Sequence, residues 1–214
     1  MKGSTHLAVG AGIGLAASLV YPFRPEDALL YVAVSAFSAL AADLDGNNLL
    51  SAKLGKATGF IRECALWGGA AAVGYFAWSY FAWGVLYPKP AAAAVAALLL
   101  GLLMKQGFMR NLLVSLIGVG LVYSGWNDQL YGMMGLGVFV AWAPWLNHRG
   151  LTHTVWAVVA WGFIGRAFEN ELGIQGLTNF AVAGYVSHLL LDTMTPSGVK
   201  LLYPLTKKTF KVPF

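Results

Sequence analysis

The sequence predicts an all-α, polytopic membrane protein of about eight transmembrane helices with both termini in the cytoplasm, a single membrane domain over residues 1–214. Three observations predict it. Apolar runs of bilayer-spanning length recur from end to end, charged residues make up 11% of the chain against 58% hydrophobic ones, and the basic residues fall in alternate loops. A mean hydropathy of +0.64 excludes an ordinary soluble domain.

The spans follow in order. The first covers 6–21, opening at His6. Met1-Lys2 ahead of this apolar stretch resembles a signal peptide, but later spans already direct insertion, so the segment is expected to be retained. The second, 28–42, ends at Asp43-Leu-Asp45, where Gly46-Asn47-Asn48 supplies a stop because Gly and Asn accept the left-handed geometry of a helix terminus. Leu50, Leu54, Ala57 and Ile61 then recur at helical spacing beside Lys53 and Lys56, as in a short helix lying in the interface. Spans three to eight cover 64–87, 91–104, 108–126, 130–146, 154–168 and 174–191, the fourth being the shortest. The tail from Lys200 mixes Leu201, Leu202, Tyr203, Phe210 and Phe214 with lysines, which suits anionic headgroups. Gly10-Ala-Gly12-Ile-Gly14 and Gly68-Gly69 mark close helix packing, and the single Cys64 forbids an internal disulfide.

Orientation comes from the cations. With the amino terminus inside, eleven of the fourteen basic residues fall on the cytoplasmic side, leaving Arg24, Lys89 and Arg166 outside. The same parity sends Glu26, Asp27, Asp128, Glu169 and Glu171 outside. It gathers His6, Asp43, Asp45, His148, Arg149, His153, His188 and Asp192 at span ends on the cytoplasmic face, provided an even number of spans separates Asp45 from His148. Because topology accounts for the lysines, the pI near 9.4 does not call for a nucleic-acid partner.

Ionisable groups at membrane depth are costly and so point to function. His188 and Asp192 stand four residues apart, on one helix face, where they can chelate one cation or serve as a helix cap and a hydrogen-bonded histidine. Asp43 and Asp45, two apart, would diverge by about 200° on a continuous α-helix and converge only if the helix ends there. In Asn147-His148-Arg149-Gly150-Leu151-Thr152-His153-Thr154, Gly150 permits a tight turn that frees the two histidines from helical spacing. Thr152 and Thr154 are placed to hydrogen-bond ligands, with Thr154 equally placed to cap the seventh span. Arg149 can grip a phosphate or carboxylate at two points or act as a positive-inside anchor. Imidazole with carboxylate suits zinc first, then iron or manganese, rather than calcium.

These residues resemble the YdjM-like family of bacterial inner-membrane, metal-dependent hydrolases. The resemblance rests on Thr5-His6, Asp43-Leu-Asp45, His148-Arg-Gly-Leu-Thr-His153-Thr and His188-Leu-Leu-Leu-Asp192, followed by Thr195-Pro-Ser-Gly198-Val-Lys-Leu-Leu-Tyr-Pro204, and spans nearly the whole chain. It implies a multi-pass helical hydrolase with His6, Asp43, Asp45, His148, His153, His188 and Asp192 as metal-site residues; Thr152 and Thr195 are expected to support these ligands by hydrogen bonds. Ala42 and Gly46 depart from the pattern, standing where the family often has proline and histidine. The His-x-x-x-Asp element is also similar, more loosely, to those of helical zinc phospholipases C and related nucleases.

Seven ligands exceed what one ion uses, so two or more divalent ions are expected. Such a site would activate a water, with Asp45 or Asp43 accepting its proton and Arg149 neutralising a phosphoryl oxygen. At the headgroup level of an anionic leaflet, the expected substrate is a lipid phosphoester. A metal-ion transporter, with ligands nearer the midplane, and a metal-stabilised scaffold are the alternatives.

Overall fold

A computed structural model describes residues 2–20, 25–46 and 49–212, with the side chains of 20, 25, 26, 49–54 and 106 outside the description. Among the described residues the chain is all-helical: α1 (Gly3–Val20), α2 (Pro25–Ala41), α3 (Leu49–Trp83), α4 (Pro88–Leu103), α5 (Gln106–Asn127), α6 (Tyr131–Trp142), α7 (Val155–Leu172) and α8 (Leu177–Thr193), with 3-10 turns at Ala42–Asp45, Ala143–Trp145 and Leu151–His153. Each of the eight apolar stretches lies on one α-helix. Two stretches, Asp27–Asp45 and Gly107–Asn127, are long and apolar enough to cross a membrane by length and composition, and Pro88–Leu103 is apolar but shorter.

The chain packs as two compact units, Met1–Leu49 with Val114–Phe214, and Leu50–Leu113. In the first, α2 packs on α1 and α8, α8 on α1 and α7, and α7 on α6. Ala17, Tyr31 and Leu177 form a buried core with Val34, Phe168, Ile174 and Phe180 against it, and the Tyr31 hydroxyl donates to the Gln175 carbonyl at 2.8 Å. Gly10 and Gly14, one turn apart, both meet the α2 backbone: a Cβ on Gly10 would stand 2.8 Å from the Ser35 carbonyl oxygen. Gly12 faces open space because two residues turn it off that face, so only part of the small-residue run serves packing. In the second unit Gly69 meets the backbone at Leu98, whereas Gly68 meets nothing.

Two segments differ from the sequence expectation. The interfacial helix and third span are one 35-residue helix, α3, about 52 Å long, because no proline or paired stop signal interrupts residues 50–64. Of the expected stripe, Ala57 and Ile61 are exposed, with Thr58 between them buried; the side chains of Leu50, Lys53 and Leu54 lie outside the description. The sixth span stops as an α-helix at Trp142 and tightens into a 3-10 turn, because Pro144 lacks the N–H that would continue it.

The tail is folded back rather than free. Val199 and Phe210 exchange backbone hydrogen bonds at 2.9 and 2.7 Å, Val212 N–H donates to the Thr193 carbonyl, and Val155 N–H donates to that of Leu201. Phe214 lies outside the described residues.

Candidate metal centre

The centre is built on two helices that run side by side in register. Gly184 of α8 lies against the Ser35 carbonyl of α2, closer than any side chain would allow. One turn on, His188 Nδ1 donates to the Ala39 carbonyl at 2.7 Å. After another turn Asp43 and Asp192 flank the same imidazole, with His188 Nε2 3.5 Å from Asp43 Oδ1 and 3.7 Å from Asp192 Oδ2. This four-residue register brings two motifs 149 positions apart in sequence to one point.

Asp43 and Asp45 both reach the cluster because α2 tightens at Ala42–Asp45, where the 3-10 turn changes their relative direction. The turn ends on Gly46 in extended backbone (φ −143°), not in the left-handed conformation expected of Gly46-Asn47-Asn48; Asn47 and Asn48 lie outside the described residues. Space sets the requirement instead, since a Cβ on Gly46 would sit 2.5 Å from His148 Nδ1. The His148 ring thus fills the volume that a side chain at position 46 would need.

The connector carries the other histidines. Its left-handed residue is Arg149 (φ +59°) rather than Gly150, and Gly150 is required because a Cβ there would lie 2.6 Å from the Asn147 carbonyl oxygen. Contacts hold Arg149 in this uncommon conformation: its N–H donates to Asp45 Oδ2 at 3.1 Å, its Nη1 to the Gly198 carbonyl at 3.1 Å and toward Thr195 Oγ1 at 3.5 Å, and its Nη2 pairs with Asp192 Oδ2 at 3.7 Å. Thr154 caps α7, its hydroxyl accepting from Ala157 N–H at 3.4 Å and donating to the Leu151 carbonyl.

His6, His153, His188 and Asp192 are buried; His148, with half its side chain exposed, is not. His148 Nδ1 lies 3.0 Å from Asp45 Oδ1, and His6 Nε2 lies 3.5 Å from Asp192 Oδ1. The His6 ring stacks on His188 with centroids 3.8 Å apart, and its buried Nδ1 has no hydrogen-bond partner. Ligand atoms of the seven residues fall into three overlapping sets, each with its atoms within 4.8 Å of one another: His6, Asp43 and His188; His153, His188 and Asp192; Asp43, Asp45 and His148.

Hydrogen bonds fix which nitrogens are free to ligate. The Thr152 hydroxyl donates to Asp45 Oδ2, so at the 3.0 Å contact His153 Nδ1–H donates to Thr152 Oγ1. His188 Nδ1–H is bound to Ala39. Both rings therefore turn Nε2 lone pairs toward each other, 3.3 Å apart, between Asp43 and Asp192. Two lone pairs and two carboxylates at such distances repel unless a cation lies among them, so the donor set fits a divalent metal. Without one a proton takes that place: burial opposes charge on His153, but hydrogen bonds to Asp192, Asp43 and Asp45 outweigh it and raise its pKa from 6.5 to about 10.

A family model described as YdjM inner membrane protein matches residues 1–214, the whole chain. The chain belongs to the YdjM inner membrane protein family. No curated protein and no solved structure matches it. Within this YdjM chain, Gly46 and the placement of His148 are one feature, since the imidazole occupies the space that a side chain at position 46 would need.

Tyr185 escaped the sequence reading. Its buried hydroxyl donates to the Thr152 carbonyl at 2.5 Å, bracing the connector against α8, and the available signal was a polar aromatic three residues before His188 in an apolar helix. Thr152→Val should leave Asp45 without its hydroxyl donor and His153 Nδ1–H without its acceptor. It is expected to weaken metal binding about 10–100-fold, measured by chelator competition, with helicity unchanged.

Proposed function

We propose that the chain is a multi-pass inner-membrane hydrolase, its eight helices spanning the bilayer, that cleaves a lipid phosphoester at the cytoplasmic leaflet with two or more divalent ions, zinc first among them. The observation that carries this reading is the convergence of seven donors, from α1, the end of α2, the connector and α8, on sets that share Asp43 and His188. Support for eight crossings comes from the many large apolar side chains left exposed, such as Leu19 (84%), Phe81 (83%), Leu103 (74%) and Phe163 (73%), which in water would be a liability and in lipid are solvated. In chain order four helices lie between Asp45 and His148, the even number that a cytoplasmic placement of all the motifs requires.

When bound, the ions would lower the pKa of water toward neutrality and neutralise charge on the phosphoryl centre. The chain's own residues orient and balance. Thr152 and Ala39 hold the two Nε2 atoms in place, and Arg149, anchored by Gly198 and Asp192, presents a guanidinium to a phosphoryl oxygen. Asp45 is engaged on both oxygens by His148, Thr152 and Arg149 N–H, Asp43 stands against both Nε2 atoms, and one of these two carboxylates accepts the water proton. An apolar cleft of 310 Å³ between α2, α6, α7 and α8 is lined by Phe37, Ser38, Leu136, Trp161, Phe168 and Leu177 among others, and Ser38 is one residue before the carbonyl that holds His188. Such a cleft suits an acyl chain better than a soluble substrate.

The test is a phosphoester panel, including phosphatidate and diacylphospholipids, given to the metal-loaded protein in detergent. Turnover by the wild type, lost by more than about 100-fold in His153→Ala and Asp192→Asn with helicity retained, is the expected result. Metal bound without turnover, together with ion flux in liposomes, would replace the hydrolase by a transporter.

A further inference from the structure

Beside the cluster lies a second, polar pocket of 190 Å³, lined by Asn147, His148, Arg149, Lys200 and Tyr203 with Leu146, Gly150 and Leu151. No carboxylate lines it among the described residues. His148 and Arg149 are shared between the pocket and the cluster, so the two adjoin. Its volume is below the roughly 300–1,000 Å³ of drug-sized ligand sites, the scale of a headgroup rather than a whole lipid.

The two cations in its wall are not equivalent. The Arg149 guanidinium is held by Asp192, Gly198 and Thr195. Lys200 has no carboxylate partner among the described residues, and its exposed side chain rises from a fixed backbone. Val199 is paired with Phe210 on one side, and Tyr203 N–H donates to the Lys200 carbonyl at 3.0 Å on the other. The tail's backbone pairing therefore fixes, at the wall of a pocket that adjoins the cluster, a lysine with no carboxylate partner among the described residues.

Resting on the hydrolase reading above, we propose that this pocket binds the part of the substrate beyond the scissile phosphate, that this part is anionic, and that Lys200 is the residue that selects it. Arg149 and the cluster face the phosphate that reacts. Lys200 faces a second negative group, of the phosphomonoester class, carried on the headgroup. Charge selection at a partly exposed site acts mainly on binding, so the effect belongs in KM rather than kcat.

The experiment compares wild type with Lys200→Glu and Lys200→Gln, all metal-loaded in detergent. Two lipids serve as substrates, phosphatidylglycerol phosphate with its anionic headgroup and phosphatidylcholine with a zwitterionic one, and sn-glycerol 3-phosphate serves as a soluble probe by titration calorimetry. The wild type is expected to bind glycerol 3-phosphate. Lys200→Glu should weaken that binding about tenfold and raise KM for phosphatidylglycerol phosphate about tenfold, with kcat within about twofold and phosphatidylcholine unaffected. Lys200→Gln should fall between. Equal effects on both lipids, or none, with turnover intact, would overturn the proposal, as would glycerol 3-phosphate binding without any headgroup preference, which would make the ligand a free soluble anion. If no lipid is turned over, the hydrolase reading fails by itself, and the pocket then stands or falls on the charge dependence of glycerol 3-phosphate binding.

Discussion

Replacing His188 with alanine is expected to strip most of the bound metal and to lower turnover by more than about 100-fold. His188 belongs to two of the three ligand sets, its Nε2 lies within 3.7 Å of Asp43 and Asp192, and it carries the His6 ring on its face. Loss of this one imidazole therefore removes a donor common to both sets and also the surface that positions a third ligand. A rival explanation is that the bond to Ala39 merely holds α8 to α2. His188→Gln separates the two, because an amide can still donate toward that carbonyl but offers no imidazole lone pair. It should unfold near the wild-type temperature and still lack metal. A variant with full metal content would show that His188 serves packing alone.

Gly184→Ala is the second large effect, and it touches no ligand. The added Cβ would fall on the Ser35 carbonyl, with Ser35 C and Oγ each at 3.0 Å, and backbone buried between two helices cannot swing aside. Overpacking of this kind costs about 1–3 kcal/mol. Because Gly184/Ser35 is followed one turn later by His188/Ala39, the displacement that relieves the clash also moves the imidazole off its carbonyl. A lower unfolding midpoint together with weaker metal binding is expected. Gly12→Ala is the control: open space surrounds that position, and alanine favours the helix, so stability should be unchanged or slightly higher. Identical behaviour of the two variants would sink the register argument.

Helix number and type were legible in the sequence because eight apolar stretches are separated by charge, glycine and proline. The joints were less so. Residues 50–64 carry no strong breaker, so whether they form a separate helix depends on packing that composition does not report, and Pro144, inside the expected sixth span, ends its α-helix at Trp142. The ligand types were visible because His and Asp are rare in so apolar a chain. Their tautomers were not, since Ala39 and Thr152, which fix Nε2 as the outward nitrogen of His188 and His153, are brought there by helix pairing. Gly150 predicts the tight turn, but the left-handed residue in it is Arg149, whose backbone is held by the distant Asp45. Lys200 looked like one anchoring lysine among several until the tail's pairing of Val199 with Phe210 placed it beside His148 and Arg149.

The central claim is that four short motifs, scattered over nearly the whole chain, make one metal centre. Metal content per chain by mass spectrometry, on protein purified in detergent without chelator, tests it most directly when wild type is compared with Asp43→Asn. Two or more divalent ions in the wild type, falling by at least one in a variant that keeps its helicity, is the predicted result. A wild type that carries no stoichiometric metal after zinc, manganese and iron have each been offered, or a content that Asp43→Asn leaves untouched, would contradict it.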